Sequence, residues 1–220
     1  MDIFLLILII LIPMIANIKI NSSYNKYSKI KCSSNITGKD VAKRILDKNG
    51  LNNISINVTN GTLSDHYNPK AKNINLSTSV YEGNSISSIA VAAHECGHAI
   101  QDKMSYSFFR FRSSLVPIVN ITSKISYLFI ILGFFLEFLE LLDVGIVLLL
   151  VGLLFQFVTL PVEFDASRRA KIQLQELGII TNDEISGVKK VLSAASLTYV
   201  AGFLAESLQI LRLVLLRRRR

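Results

Sequence analysis

The 220-residue sequence has few cysteines, histidines and acidic residues, and these shortages limit the kinds of structure, binding site and partner that the chain can have. Its two cysteines, Cys32 and Cys96, provide no disulfide framework, and nothing points to an oxidising compartment. The net charge of +8 comes from 24 basic and 16 acidic residues, and the four C-terminal arginines supply four of these charges. Basic and aromatic residues are not interleaved, so the excess charge indicates a solvated tail or a contact with anionic lipid and no nucleic-acid partner.

Apolar residues are abundant and gathered in blocks. Half of the residues are hydrophobic and the mean hydropathy is +0.43, as is typical of a membrane protein. Residues 3–18 are almost continuously apolar, and lysines follow this run rather than precede it. This arrangement predicts an uncleaved transmembrane anchor over residues 1–20. The positive-inside rule then places the N-terminus outside and the following segment in the cytoplasm.

Two further apolar runs, residues 125–142 and 144–161, predict a transmembrane hairpin over residues 123–161. Basic residues flank its two ends, and acidic residues lie between the centres of the runs: Glu137, Glu140 and Asp143. Both ends of the hairpin are therefore expected on the cytoplasmic side, which agrees with the topology inferred from the anchor.

The C-terminal apolar run, residues 194–216, is interrupted at three-residue steps by polar side chains, namely Glu206, Gln209 and Arg212. This polar stripe favours a helix packed on the domain or lying in the membrane interface. The alternative is a fourth membrane span, which would put the terminal arginines outside, against the charge rule.

Residues 21–122 form the first half of the predicted catalytic domain, and the sequence is polar from residue 21 to about residue 112. Thr37 opens a short helix that Gly50 closes, and residues 54–58 and 72–76 alternate as strands. A small sheet therefore precedes the next helix. Residues 72–76 are the candidate edge to which an extended substrate could add a strand, although an ordinary edge strand would have the same pattern.

The sequence VAAHECGH at residues 91–98 contains the residues that are expected to bind a metal ion and to transfer protons. Ser85 is a predicted cap of its helix, on which His94 and His98 project from one face and can share a metal ion. Glu95 occupies the general-base position, and Cys96 is expected to be a buried side chain on the opposite, apolar face. Two imidazoles and one carboxylate leave an open position on zinc, where the pKa of a bound water falls to about 7.

A carboxylate for such a site lies in the segment LPVEFDASRR, residues 160–169. Pro161 suits the start of a helix, and Glu163 follows it within one turn, so that Glu163 could be the third ligand. Asp165 competes for this role and cannot share the helical face of Glu163.

The third histidine, His66, lies in the segment DHYNP, residues 65–69. It could donate a hydrogen bond to the oxyanion of a tetrahedral intermediate, which makes it a candidate catalytic residue. Alternatively, it fixes a turn ahead of Pro69.

Several stretches together resemble the YugP-type family of bacterial membrane zinc metallopeptidases, and the likeness runs nearly end to end. They are DHY at 65–67, VYEGNS at 80–85, AVAAHECGHAIQ at 90–101, LVP at 115–117, LPVEFDASRRA at 160–170 and LSAASLTYV at 192–200. The resemblance implies that His94, His98 and Glu163 bind Zn²⁺ and that Glu95 is catalytic. Related zinc proteases have an E-x-x-x-D pattern, whereas here Ser167 replaces the acid that usually orients the first histidine.

The predicted fold class is α+β, a zincin-like metallopeptidase domain with mainly helical transmembrane segments, whose second half is residues 162–220. The predicted function is hydrolysis of peptide bonds by a zinc-activated water, in an integral protein of the bacterial cell membrane with its site on the cytoplasmic face. The expected substrates are membrane or membrane-proximal proteins. The alternatives are a catalytically silent, zinc-stabilised membrane scaffold or a partner-binding protein.

Overall fold

The computed structural model describes residues 2–218 and shows a mostly helical chain with one small sheet. In chain order the elements are α1 (Asp2–Tyr27), α2 (Gly38–Lys48), β1 (Ser55–Thr59), β2 (His66–Asn68), β3 (Asn73–Ser77), α3 (Thr78–Tyr81), α4 (Ile86–Lys103), α5 (Ser107–Phe135), α6 (Leu139–Glu176) and α7 (Asn182–Arg217). Arg219 and Arg220, the last two residues of the predicted arginine tail, lie outside the described residues.

Four of these helices, α1, α5, α6 and α7, are long and apolar enough to cross a membrane. The longest, α6, has 38 residues, which at 1.5 Å per residue is about 57 Å and exceeds the hydrocarbon thickness of a bilayer. Large apolar side chains on these helices face outwards, as at Ile3 (75% exposed) and Phe135 (83% exposed). Such surfaces are stable in lipid and costly in water, and they support a membrane location.

Three prolines lie inside the long helices: Pro13 in α1, Pro117 in α5 and Pro161 in α6. The prediction that Pro161 starts a helix is therefore wrong, because α6 begins at Leu139 and continues through it. A proline removes one backbone donor, but membrane helices tolerate this loss where neighbouring helices surround them. As a result, Glu163 is on the same continuous helix as the apolar segment before it.

The hairpin of α5 and α6 turns at residues 136–138, with Glu137 in a left-handed conformation (φ 55°). The apolar run of residues 125–142 is thus divided between two helices, and the turn comes earlier than predicted. The glycines explain how tightly the helices meet. A Cβ atom at Gly133 would lie 2.7 Å from the Leu142 backbone nitrogen, and one at Gly145 would lie 2.6 Å from the Ile130 side chain.

Helix α7 runs beside α6 and α1 and reaches the far end of the hairpin. There Arg217 Nε and a terminal guanidinium nitrogen donate to the two carboxylate oxygens of Asp143, at 3.0 and 2.9 Å. The preference for a helix packed on the domain or lying in the interface therefore stays a prediction, as does the alternative of a fourth span. Helix α7 lies alongside the whole apolar part of α6 and has the length and composition of a fourth span.

The segment between α1 and α5 forms a small α+β unit. Thr37 caps α2 in a reciprocal capping box with Asp40, as the sequence predicted for the start of this helix. The strand order is β1-β3-β2, with β1 parallel and β2 antiparallel to β3. Residues 72–76 are therefore not an edge: β3 is the central strand, and the edges are β1 and the short, unpredicted β2.

Helix α4 is the central helix of this unit. Ser85 caps its N-terminus through the Ser88 backbone N–H, as predicted, and most of its residues are buried, including Ile89. The helix crosses α6 at Gly97, where an added Cβ atom would lie 2.6 Å from the Ala166 carbonyl oxygen. This crossing allows the two backbones to approach closely, and it brings the histidine face of α4 against Glu163, one turn before Ala166 on α6.

Candidate metal centre

Three side chains that can ligate a metal meet at the crossing of α4 and α6: His94, His98 and Glu163. One ligand atom from each lies within 4.8 Å of the others. His94 Nε2 is 3.2 Å from Glu163 Oε2, and His98 Nε2 is 3.6 Å from the same oxygen. Ligands of a tetrahedral zinc ion lie about 3.3 Å apart when each metal–ligand bond is about 2.0–2.1 Å. The two distances to Glu163 therefore fit a zinc ion.

The surroundings of Glu163 also fit a cation. The residue is 1% exposed, and its Oε1 atom has no hydrogen-bond partner among the described residues. A terminal guanidinium nitrogen of Arg112 lies 3.7 Å from this oxygen, beyond hydrogen-bond distance. A buried carboxylate with an unsatisfied oxygen is costly unless a cation compensates it, and a metal ion at this position would do so.

The hydrogen bonds around His98 favour the tautomer that a metal ligand needs. The Gln101 side-chain amide nitrogen donates to the Val162 carbonyl oxygen at 2.8 Å and to the Asp165 carboxylate at 3.0 Å. Its Oε1 atom must therefore accept a hydrogen bond, and it lies 3.0 Å from His98 Nδ1. His98 Nδ1 carries the proton, and Nε2 keeps a lone pair directed at Glu163.

Asp165, the rival candidate for third ligand, thus lies outside the ligand cluster and supports it instead. Its carboxylate accepts from Gln101 and from the guanidinium groups of Arg168 and Arg169. The two positions face different ways on α6, as their spacing predicted. Gln101 lies seven residues after His94, so the sequence already places it on the histidine face, but the pattern alone assigns it no role.

His94 has a different partner. Ser167 Oγ lies 3.2 Å from His94 Nδ1 and 3.4 Å from Ser196 Oγ on α7. Ser167 thus occupies the place of the acid in the E-x-x-x-D pattern. A hydroxyl group both donates and accepts, so this contact orients the ring without fixing which nitrogen carries the proton.

Glu95 lies beside the cluster and is 7% exposed. Its Oε2 atom accepts a 2.9 Å hydrogen bond from the backbone N–H of Tyr67 in β2. The pKa of Glu95 is raised to about 7, mainly because the group is buried; the neighbouring Glu163 also raises this pKa, whereas His94 and the Tyr67 hydrogen bond lower it. A carboxyl group with a pKa near neutrality can both accept and release a proton under physiological conditions.

His66 lies at the start of β2 and is exposed. Its Nδ1 lies 2.8 Å from the Ser64 carbonyl oxygen, and its Nε2 lies 3.0 Å from the Asn75 amide nitrogen. Nδ1 therefore donates and Nε2 accepts, so both ring nitrogens are engaged within the loop and sheet. The structure does not bring His66 into the ligand cluster, although His66 lines the same cavity.

The cluster opens into a cavity of about 570 Å³ between the small sheet and the long helices. β2 forms one wall, and α5 forms the other through Arg112, Val116 and Pro117. Tyr199 of α7 also lines the cavity. The sequence pattern alone gives neither Arg112 nor Tyr199 a role in the site, and the only signal for Tyr199 is its place in the LSAASLTYV stretch.

Comparison with known proteins gives a family but no solved fold. Residues 2–218 match the family described as "Putative neutral zinc metallopeptidase". The chain is 46% identical over 201 residues to "Putative membrane protease YugP" of Bacillus subtilis (strain 168), covering 91% of this chain and 89% of that protein. No solved structure matches. The match over nearly the whole length shows that the chain belongs to the putative neutral zinc metallopeptidase family.

Proposed function

We propose that this protein is a membrane-embedded, zinc-dependent endopeptidase with a zincin-like catalytic domain. The observation that carries the proposal is the buried cluster of His94, His98 and Glu163, with Glu95 beside it in a cavity large enough for a peptide segment. In this proposal residues 21–122 and 162–220 form the two halves of the domain, joined by the hairpin of residues 123–161 and anchored by residues 1–20.

Zinc bound by His94, His98 and Glu163 would supply Lewis-acid chemistry, which lowers the pKa of water and polarises a carbonyl group. Residues of the chain would carry out the proton transfers and hold the ligands in place. Glu95 accepts the proton of the attacking water and passes it to the leaving amine, and the Tyr67 N–H holds its carboxylate in position. Gln101 and Ser167 fix the rings of the two histidines from behind.

The cavity walls indicate how a substrate would lie. β2 is an edge strand along the cavity, so an extended peptide can pair with its free side, and α5 would cover the other side of the peptide. Because α5 is a candidate membrane span, the cavity opens near the membrane surface. This position favours segments of membrane proteins, or peptides next to the membrane, as substrates.

The proposal also includes the orientation of the protein in the membrane. The basic residues near the ends of α1, α5 and α6 support a catalytic unit on the cytoplasmic side of the bacterial cell membrane. In intact cells, an impermeant maleimide should label Glu137→Cys at the hairpin turn and should not label Thr62→Cys until the membrane is opened. Labelling of Thr62→Cys in intact cells would reverse the orientation. Both natural cysteines are buried, so the background is low.

The function is tested with Glu95→Gln in the full chain purified in detergent, with casein cleavage and bound zinc as the two measurements. Glutamine can still accept the Tyr67 hydrogen bond but cannot take a proton, so we expect full zinc content and loss of cleavage. Glu82→Gln, an exposed change outside the cavity, is the matched control. If the wild type holds zinc and Glu95→Gln does not change cleavage, the site is structural and the protein is a zinc-stabilised scaffold.

A further inference from the structure

A second groove lies between α6 and α7, outside the metal cavity. It has a volume of about 380 Å³, and none of the residues lining it is acidic. Its lining residues are Phe164, Ser167, Arg168, Lys171, Lys189, Leu192, Ser193, Ser196, Leu197 and Val200. We refer to it as the α6–α7 groove. The proposed peptidase reaction makes no use of it.

The cationic side chains gather at one end of the groove. Lys171 and Lys189 approach it from the two facing helices, and among the described residues neither lysine forms an ion pair or a side-chain hydrogen bond. Arg168 joins them but already holds Asp165. Two unpaired ammonium groups facing a concave site, with no carboxylate in its lining, favour an anionic group between them.

The other end of the groove is apolar, and this gradient follows the direction of the helices. α6 passes from its apolar segment through Phe164 to Lys171, and α7 passes in the opposite direction from Lys189 to Leu197 and Val200. The basic end therefore lies at the water side and the apolar end at the bilayer side. From Lys189 to Val200 the groove extends about 16 Å, at 1.5 Å per residue.

We propose that the α6–α7 groove is a binding site for one anionic phospholipid. Its phosphate would lie between Lys171 and Lys189, and an acyl chain would lie against Phe164 and Leu197. The apolar half favours a lipid over a free phosphate, because a soluble anion would leave that half of the groove without a partner. This inference does not depend on the peptidase activity.

The bound lipid would share a wall with the metal centre. Ser167 and Ser196 line the groove and also form the hydrogen-bonded pair behind His94. The groove is thus one side chain away from a candidate zinc ligand. For this reason the test keeps these serines unchanged and alters only the cationic end.

The test is native mass spectrometry of the full chain in detergent, titrated with phosphatidylglycerol or phosphatidylcholine. Lys189→Gln is compared with Lys190→Gln, its exposed neighbour on α7, which does not line the groove. We expect one retained phosphatidylglycerol per chain, about fivefold weaker binding for Lys189→Gln and less than twofold for Lys190→Gln. An unchanged thermal unfolding temperature in both variants shows that each is folded.

Three outcomes would overturn the proposal. Equal losses in Lys189→Gln and Lys190→Gln would mean that general surface charge attracts the lipid. Equal retention of phosphatidylcholine would mean that the groove does not recognise an anionic headgroup. Full competition by glycerol phosphate, which has no acyl chain, would mean that the site binds a soluble anion.

Discussion

The two histidines of α4 are four residues apart on one face, yet they are supported very differently. Behind His98 is buried Gln101, whose amide also bonds the Val162 carbonyl oxygen and the carboxylate of Asp165. Behind His94 is only the hydroxyl of Ser167, which contacts a second hydroxyl on α7. The first arrangement fixes a tautomer, whereas the second can adopt either hydrogen-bond direction.

This difference shows how a metal site can keep its geometry without the usual acid behind one ligand. The His98 support joins α4 to α6 through a fully buried amide, and it holds the crossing at which Glu163 also lies. His94 can then depend on a weaker partner. We therefore expect zinc binding to be more sensitive to changes behind His98 than behind His94.

The largest effect should come from the residue that both histidines face. Glu163→Ala removes the third ligand, and we expect zinc affinity to fall by more than the roughly 100-fold that loss of an outer partner can cost. The measurement is competition with a chelator on the purified full chain. Glu140→Ala, an exposed change on the same helix, should bind zinc as the wild type does.

The second largest effect should come from Gln101→Ala. We expect it to lower zinc affinity by about 10-fold to 100-fold, because His98 loses its fixed tautomer. Asp165→Asn should cost less, since Gln101 keeps its bond to the Val162 carbonyl oxygen. Gln175→Ala on exposed α6 surface is the control, and the same chelator titration ranks the series. Equal affinities for Gln101→Ala and Gln175→Ala would refute the role of the His98 support.

Substitutions of Ser167 should change zinc affinity less than Gln101→Ala does, and the direction of the change should depend on the new residue. Ser167→Ala removes the partner of His94, and we expect a loss of zinc affinity below that of Gln101→Ala. Ser167→Asp restores the acid of the E-x-x-x-D pattern and should raise zinc affinity, because a carboxylate accepts from Nδ1 and fixes the tautomer. A drop in affinity for Ser167→Asp would show that the His94 side has no room for the usual support.

The charge of Glu95, next to His94, should affect the stability of the fold rather than zinc affinity, and the effect should be visible only without metal. Its folded pKa of about 7 lies above the ordinary value of 4.5, so between these values the folded protein holds a proton that the unfolded chain releases. Stability should therefore fall as pH rises through this window, by up to about 1.4 kcal/mol per unit. Thermal unfolding of metal-free wild type should show this slope, and Glu95→Gln should lack it. Parallel profiles would contradict the raised pKa.

Local patterns in the sequence predicted much of the fold. The cap at Ser85, the box at Thr37 and the periodicity of α4 are set by neighbours within one or two turns, and the structure has each of them. Membrane-length helices were also predictable, because a long apolar run has few alternatives. The position of the hairpin turn was not, since Leu136 and Phe138 are as apolar as the helices around them.

The elements that support the metal site could not be predicted in the same way, because they meet through contacts between segments that are distant in the sequence. β2 has only three residues and pairs with a strand that follows it, so its pattern was too short to recognise. The choice between Glu163 and Asp165 rests on which face of α6 meets Gly97 of α4. Pro161 was misleading, because a helix surrounded by other helices can continue through a missing backbone donor.

The most direct test of the metal centre is the zinc X-ray absorption spectrum of the full chain, compared with that of His98→Ala. The account predicts only nitrogen and oxygen neighbours at about 2.0–2.2 Å, two of them imidazoles. One imidazole should be lost in His98→Ala. A sulfur neighbour at about 2.3 Å, which would mean that a cysteine binds the metal, or an unchanged spectrum in His98→Ala would contradict it.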